Sequence, residues 1–84
     1  MTMRRTVRKV IDGDTFITNR KINGTNRVRL ANYDAPELYQ YGGREAKQRL
    51  ARRIEGRTVT LQPVGRSYNR IVANVRYNRR KLNR

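Results

Sequence analysis

Acidic side chains are few in this chain, and most of them stand in two short turns. Only 6 Asp and Glu residues accompany 21 Lys and Arg residues. Asp12 and Asp14 occur in "VIDGDTF", and Asp34 and Glu37 occur in "YDAPELY". Carboxylates on rigid turns at strand ends suit the oxygen ligation that Ca²⁺ and Mg²⁺ prefer. The two acidic turns together therefore predict a site for a hard cation.

Taken singly, each acidic turn has an ordinary structural explanation. Asp-Gly is common turn chemistry, and an Asp followed three residues later by Glu is typical of a helix N-cap with a first-turn acid. Gly13 would allow a sharp turn between the two aspartates, and Pro36 would stiffen the loop that carries Asp34. For either turn alone, the structural explanation is favoured.

Two arginines favour a functional site over the structural explanation, because their positions in the predicted strands match those of the acidic turns. Arg29 lies on the predicted strand that leads into Asp34, and Arg70 lies in "SYNR" at the start of the last predicted strand. Two guanidinium groups that converge on a metal-bound phosphate would supply the bidentate contacts that a phosphodiester transition state needs. The alternative is that both are surface arginines among many.

Composition narrows the chemistry further. The formal net charge of +15 indicates a polyanionic partner, with nucleic acid as the first candidate. The chain contains no His and no Cys, which excludes zinc sites built on imidazole or thiolate and acid–base catalysis by His. Any catalysis must therefore use carboxylates, Arg, Lys, Tyr or a hard metal ion.

Membrane association is not expected from the sequence. No stretch approaches the roughly 20 apolar residues that span a bilayer, and no basic helix carries a bulky apolar face. The segment "MTMRRTVRKV" lacks the apolar region of a signal peptide. The cellular location stays open, because a mature secreted form would have the same features.

The hydrophobic pattern predicts a single domain over residues 1–84, mainly β with one helix. Asn23-Gly24 predicts a β-hairpin between two alternating segments. Ala46, Leu50 and Ile54 recur at helical spacing within "GGREAKQRLARRIEG". Strand patterns return in "TVTLQPV" and "RIVANVRY". Three strands, one helix and two strands suit a five-stranded OB-fold barrel with the helix across one end.

The chain resembles a known family along nearly its whole length. In order, "VIDGDTF", "RVRLANYDAPE", "GGREAKQRL" and "SYNRIVANVRY" are similar to the successive signatures of the thermonuclease family, the staphylococcal-nuclease-like domains. The resemblance runs from residue 7 to residue 83 and includes the spacing of Arg29, Asp34 and Glu37. It implies a five-stranded barrel and a Ca²⁺-dependent nuclease that hydrolyses phosphodiester bonds in DNA and RNA.

The resemblance also implies a set of metal ligands. Asp14 and Asp34 would bind Ca²⁺ through their side chains, and the backbone carbonyl of Ala35 would add a third oxygen. Asp12 would stand behind these ligands and orient them or a bound water.

Four further residues would act on the substrate if the resemblance holds. Glu37 would position or deprotonate the attacking water. Arg29 and Arg70 would neutralise the charge that grows on phosphorus, and Arg70 would also help the leaving oxygen. Tyr68 would lie beside the bound nucleotide.

The chain departs from the family pattern at three places. Asn69 stands where the family usually has Gly, and we expect Asn there because it tolerates left-handed backbone geometry. Arg66 replaces an acidic residue. The family continues into further helices, whereas this chain stops at Arg84. Three explanations stay open: a minimal form, an oligomer that covers the exposed barrel surface, and a domain of a larger protein.

Three functions are compatible with the sequence. The first is a metal-dependent nuclease. The second is a non-catalytic basic barrel that binds nucleic acid, either a degenerate nuclease domain or a module like those of ribosomal proteins. The third is a module that binds acidic proteins. The nuclease is favoured because acids beside a phosphate backbone repel it unless a cation lies between them.

Overall fold

The protein forms a closed barrel of five strands, as the sequence predicts. A computed structural model describes residues 1–82. The elements are β1 (Met3–Asp12), β2 (Thr15–Ile22), β3 (Thr25–Leu30), α1 (Gly43–Ile54), β4 (Thr58–Ser67), β5 (Arg70–Tyr77) and β6 (Arg80–Lys81). The hydrogen-bonded order is β3-β2-β1-β4-β5-β6, and a parallel pairing of β3 with β5 closes the barrel.

Two β-bulges shape the first strand. The register of β1 against β2 shifts between Val7 and Lys9 and again between Val10 and Asp12. Residues three apart on an unbroken strand point to opposite faces, but a bulge inserts one extra residue. Val7 and Val10 therefore both reach the core, where neither side chain is exposed. The second bulge lies immediately before the turn that carries Asp14.

The helix covers the barrel with the apolar stripe that the sequence predicts. Its buried residues are Gly43, Ala46, Leu50 and Ile54. Gly56 follows the helix with a φ of 81°, the left-handed geometry common after a helix C-terminus. Within residues 1–82, no helix has both the length and the apolar content needed to cross a bilayer.

The C-terminal segment is more ordered than its polar, basic sequence suggests. A short strand, Arg80–Lys81, pairs with the end of β5. Leu82 then packs against the core, and its backbone N–H donates to the Val75 carbonyl at 2.8 Å. The domain prediction and the resemblance both extend beyond this point, and residues 83–84 lie outside the described part of the chain.

Candidate functional site

The turn between β1 and β2 holds the first acidic pair. The backbone N–H of Asp14 donates to the Asp12 carboxylate at 3.1 Å, so Asp12 stabilises the turn itself. Asp14 points inward, with 8% of its side chain exposed. One of its oxygens accepts from the Thr15 hydroxyl at 3.0 Å, and the other accepts from the Ala35 backbone N–H at 3.2 Å. The Asp14 carboxylate is thus aimed at the second acidic loop.

Gly13 permits this close approach of the two loops. A Cβ atom on Gly13 would lie 2.5 Å from the Ala35 Cβ and 2.7 Å from the Ala46 Cβ. Both separations are far shorter than carbon atoms tolerate. The glycine therefore matters for packing as well as for the turn, because Asp14 reaches Ala35 only if position 13 has no side chain.

Arg29 joins the two acidic loops. Its guanidinium forms an ion pair with Asp34 and lies 3.6 Å from an Asp14 carboxylate oxygen. It also donates to the Leu30 carbonyl at 3.0 Å, which fixes its orientation. Asp14 and Asp34 come from separate loops, yet their carboxylates converge on one cationic group. The structure thus brings together Arg29, Asp14, Asp34 and Ala35, four of the residues singled out in the sequence.

The loop that carries Asp34 and Glu37 is not a helix N-cap. The helix begins at Gly43, and its N-cap is Gly42, which has no side-chain capping bond. The Asp34 side chain is 91% exposed, and Glu37 is also exposed. Neither acid has the structural role that the capping explanation would give it.

Hydrogen bonds and a close contact hold the Glu37 backbone. The Glu37 N–H donates to the Gln40 side chain at 2.8 Å, and the Glu37 carbonyl accepts from the Gln40 N–H at 2.9 Å. Gly43 fits tightly against this turn, since a Cβ there would overlap the Glu37 carbonyl. Sequence reasoning missed this role of Gly43, although the Gly42-Gly43 pair at the start of the helix was the available signal.

The acids of the two loops influence one another. Burial raises the pKa of Asp12 above its ordinary value, and a side-chain hydrogen bond with Asp14 adds to the rise, whereas the bond from the Asp14 backbone N–H lowers the pKa. The negative charges of Asp14 and Glu37 raise the pKa of Asp12 further. Asp12, Asp14 and Glu37 are therefore close enough for their charges to interact.

Arg70 lies on the strand beside Arg29. In the parallel pairing of β3 with β5, Arg29 is opposite Val72. Arg70 precedes Val72 by two residues and shares its outward face, because Ile71 between them is buried. At a rise of about 3.3 Å per residue, Arg70 lies roughly 7 Å along the neighbouring strand from the level of Arg29.

The turn before Arg70 differs from the expectation. The residue with left-handed geometry is Tyr68, at a φ of 57°, whereas Asn69 does not adopt a positive φ. The prediction that Asn69 takes this geometry is therefore wrong, because the two-residue hairpin needs it at its first position. A bulky residue with positive φ is strained, and such strain concentrates at functional sites. Tyr68 is also 91% exposed.

Comparison with known proteins identifies the family of this chain. The family described as "Staphylococcal nuclease homologue" matches residues 27–84. This chain belongs to that family. It is 37% identical over 76 residues to an uncharacterized endonuclease of Haemophilus influenzae, covering 89% of this chain. It is 44% identical over 62 residues to a probable endonuclease of Schizosaccharomyces japonicus, covering 66% of this chain. The chain spans only 43% and 27% of those two relatives.

In this family member, the side chains of the candidate site supply only some of the oxygen ligands that a hard cation needs. Among residues 1–82, no group of three or more acidic side chains is arranged to hold a metal ion. Two carboxylates from separate loops do converge on a cationic group, the Arg29 guanidinium. A cation here would therefore need Asp14 and Asp34 together with main-chain and water oxygens, which is acceptable to Ca²⁺.

Proposed function

We propose that this member of the staphylococcal nuclease family is a Ca²⁺-dependent nuclease that cleaves phosphodiester bonds in DNA and RNA. One observation carries the proposal: Arg29 contacts carboxylates from both acidic loops. The second loop otherwise has little structural reason to hold two exposed acids, Asp34 and Glu37, in so basic a chain. The endonuclease names of the two relatives support the same reaction.

Asp14, Asp34 and the Ala35 carbonyl would hold the ion. When bound, Ca²⁺ would lower the cost of negative charge on the reacting phosphate and help to orient water. Asp14 is the more rigid of the two carboxylates, because it is buried and accepts bonds from Thr15 and Ala35. Asp12 maintains the turn by accepting from the Asp14 N–H.

The arginines would bind the phosphate. Arg29 presents a planar, permanently charged fork, which matches two phosphate oxygens at once. Its bond to the Leu30 carbonyl holds the fork in place before substrate binds. Arg70 lies on the adjacent strand and would contact the same phosphate or the leaving oxygen. Tyr68, exposed at the neighbouring turn, would lie against the sugar or base.

Glu37 would accept the proton of the attacking water. It is exposed on a loop whose backbone is fixed by Gln40, so its carboxylate can reach a water without losing its support. A carboxylate within hydrogen-bond reach of a water is a sufficient general base, and such bases contribute about 10²- to 10⁴-fold to rate.

The test is the Glu37→Gln variant, assayed for cleavage and for binding. We expect cleavage of plasmid and single-stranded DNA with Ca²⁺ to fall by about 10²-fold or more. Binding should change little, because the amide keeps the size of the side chain. Glu45→Gln is the matched control, since Glu45 is an exposed acid in the first turn of the helix. Wild-type cleavage that persists in excess EDTA would refute the metal-dependent mechanism.

A second candidate is a basic barrel that binds nucleic acid without cutting it. The observation in its favour is that Arg29 already neutralises both Asp14 and Asp34. A permanent ion pair would leave the carboxylates less able to bind a cation. Tight, salt-dependent binding together with no cleavage over a range of Ca²⁺ concentrations would establish this alternative.

A further inference from the structure

A second basic surface lies on the outer wall of the barrel and shares no residue with the candidate site. It is a groove of about 460 Å³ whose lining includes Arg4, Thr58, Thr60, Arg76, Asn78 and Arg79. We call it the Arg76 groove.

Strand register aligns two arginines of this groove, Arg4 and Arg76, with Lys81 beside the groove. Arg4 on β1 is opposite Thr60 on β4, and Thr60 is opposite Arg76 on β5. Arg76 is in turn opposite Lys81 on β6. With neighbouring strands about 4.8 Å apart, the Cα atoms of Arg4 and Arg76 lie roughly 10 Å apart, and that of Lys81 follows about 5 Å further on. Four strands thus present three positive charges in one row.

No acid in the described chain compensates these charges. Arg4, Arg76 and Arg79 are exposed, and within residues 1–82 their guanidinium groups form no hydrogen bond or ion pair. Like charges at such separations repel one another and weaken a small fold. A partner with negative charges at similar spacing would relieve this repulsion.

A neighbouring set of arginines has a partial structural explanation. The arginines of the groove do not, so the groove is the better candidate for a binding surface. An adjoining surface shares Tyr77 and Asn78 with the groove and adds further arginines. There, Arg57 lies over the Tyr77 ring, 5.8 Å from its centroid. Arg52 and Arg53 occupy the last turn of α1, where a positive charge favours the helix dipole. Within residues 1–82, the structure describes no comparable role for Arg4, Arg76 or Arg79.

The backbone geometry at Arg79 also indicates that this groove has a role beyond the fold. Arg79 has a φ of 65° and follows Asn78 at 52° in the two-residue turn between Tyr77 and Arg80. Such turns strongly favour Gly at the second position, because a Cβ atom is strained there. An arginine therefore stands where glycine would be more stable, which indicates that its side chain is used.

We propose that the Arg76 groove binds the phosphate backbone of a nucleic acid, outside the candidate catalytic site. Arginines spaced along a groove neutralise successive phosphates, and hydroxyl and amide groups such as those of Thr60 and Asn78 commonly donate to phosphate oxygens. A membrane surface fits less well, since interfacial binding needs bulky apolar side chains and Tyr77, half-buried beneath Arg57, is the one large apolar group in the lining.

The outer face of β5 connects the groove to the candidate site. Val72, opposite Arg29, and Arg76 lie on the same outward face, four residues apart. This corresponds to about 13 Å along the strand. A polynucleotide with one phosphate at Arg29 would therefore pass the groove with a flanking segment. This last step rests on the proposed nuclease function, whereas backbone binding by the groove does not.

The decisive experiment compares two triple variants with the same net charge. Arg4, Arg76 and Arg79 are replaced by Gln in the groove variant, and the exposed residues Arg8, Lys9 and Arg20 are replaced in the control. Binding of labelled single-stranded and duplex oligonucleotides is measured in EDTA over a series of salt concentrations. The groove variant should bind roughly tenfold more weakly, and its slope of log K against log[salt] should be smaller by about 2 to 3.

The control variant distinguishes a specific binding site from a general electrostatic attraction to the positive charge of the protein. We expect it to lose much less affinity, because its charges lie outside the groove. Equal losses in the two variants would overturn the proposal and leave only a diffuse electrostatic attraction. Loss of binding to anionic phospholipid vesicles, with oligonucleotide binding retained, would identify a membrane surface instead.

A single substitution separates binding from folding. Arg79→Gly removes the charge and relieves the backbone strain, so thermal stability should stay the same or rise while affinity for the oligonucleotide falls. Arg79→Lys should keep most of the affinity. A variant Arg79→Gly that binds as tightly as the wild type would contradict the role of this side chain.

A cleavage assay tests the part of the inference that rests on the proposed nuclease function. In Ca²⁺, the groove variant should cut long oligonucleotides more slowly than the wild type but cut a dinucleotide at the same rate, because a dinucleotide cannot span both sites. A wild type that cuts nothing would refute the nuclease proposal, and the binding measurements in EDTA would still decide whether the groove is a site.

Discussion

Among single residues, Gly13 affects both the packing of the acidic loop and the orientation of the Asp14 carboxylate, because it has no side chain. A Cβ atom at position 13 would collide with the Cβ atoms of Ala35 and Ala46, which lie on the acidic loop and the helix respectively. The loop and the helix would both have to move to accept a methyl group. Any such movement would separate Asp14 from the Ala35 N–H, which orients its carboxylate.

Gly13→Ala should therefore reduce both stability and cleavage. We expect a loss of about 1 to 3 kcal/mol in the free energy of unfolding, as for other overpacked sites, measured by urea denaturation. Gly65→Ala is the matched control, because nothing lies within 4 Å of the position of its Cβ. A Gly13→Ala protein as stable as the control would contradict the close packing of the two loops.

Arg29→Lys tests whether the shape of the cation matters as well as its charge. The Arg29 guanidinium contacts the Leu30 carbonyl and two carboxylates together, which an ammonium group cannot reproduce with the same geometry. We expect kcat for oligonucleotide cleavage to fall by about 10²-fold or more.

Arg27→Lys is the control for Arg29→Lys, since Arg27 is exposed on the same face of β3. It should cleave at nearly the wild-type rate. If Arg29→Lys also retained that rate, Arg29 would act as a general positive charge rather than as a planar clamp.

At the scale of elements, the sequence predicted what depends on periodicity and missed what depends on tertiary contacts. The helix stripe and the Asn23-Gly24 hairpin are confirmed because local pattern determines both. Asn69 was the wrong choice for the positive φ, because strand register assigns that geometry to Tyr68. The packing of the half-buried Leu82 against the core could not be predicted, since the basic tail gives no periodic signal and only the pairing of β6 with β5 brings Leu82 there.

The candidate site was likewise predictable where residue type and spacing determine it, and not where tertiary contacts do. The sequence identified Arg29 and the acidic residues by type and spacing, and the structure brings Arg29, Asp14 and Asp34 together. Neither bulges nor the contact of Gly43 with Glu37 follow from sequence patterns, because both depend on how separate segments pack. The assigned roles of these residues stay predictions.

One acid serves to attach the helix to the barrel. The Val10 backbone N–H donates to the Glu55 carboxylate at 2.9 Å, beside the bulges of β1. Glu55→Ala should therefore lower the free energy of unfolding by about 1 kcal/mol, because the Val10 N–H loses its partner. Thermal denaturation and hydrogen exchange of residues 43–54 would measure this.

Two further variants isolate the hydrogen bond at Glu55. Glu55→Gln keeps an oxygen acceptor and should be nearly as stable as the wild type. Glu45→Ala removes an exposed acid from the first turn of the helix, and within residues 1–82 the Glu45 side chain forms no hydrogen bond or ion pair. An equal loss of stability in Glu45→Ala and Glu55→Ala would show that the loss of a negative charge from so basic a chain, and not the bond to Val10, is responsible.

At the scale of the whole molecule, charge and stability are linked. A domain of this size buries only about 60% of its unfolded surface, so its stability margin is narrow. The net charge of +15 adds repulsion that the two described ion pairs, both formed by Arg29, offset only locally. A bound polyanion should then stabilise the folded state more than it would in a neutral protein, since it binds the folded surface and relieves the repulsion.

Nucleic acid without cleavage should therefore raise the melting temperature. At 100 times the dissociation constant, ligand binding adds about 2.7 kcal/mol, which for a domain of this size corresponds to a shift of roughly 10 °C or more. The measurement is thermal denaturation in EDTA with a short oligonucleotide, and the shift should shrink as salt is added, because screening weakens the interaction. The groove variant should show a smaller shift than the charge-matched control. A shift that does not depend on salt would mean that apolar contacts, rather than the arginine surface, hold the nucleic acid.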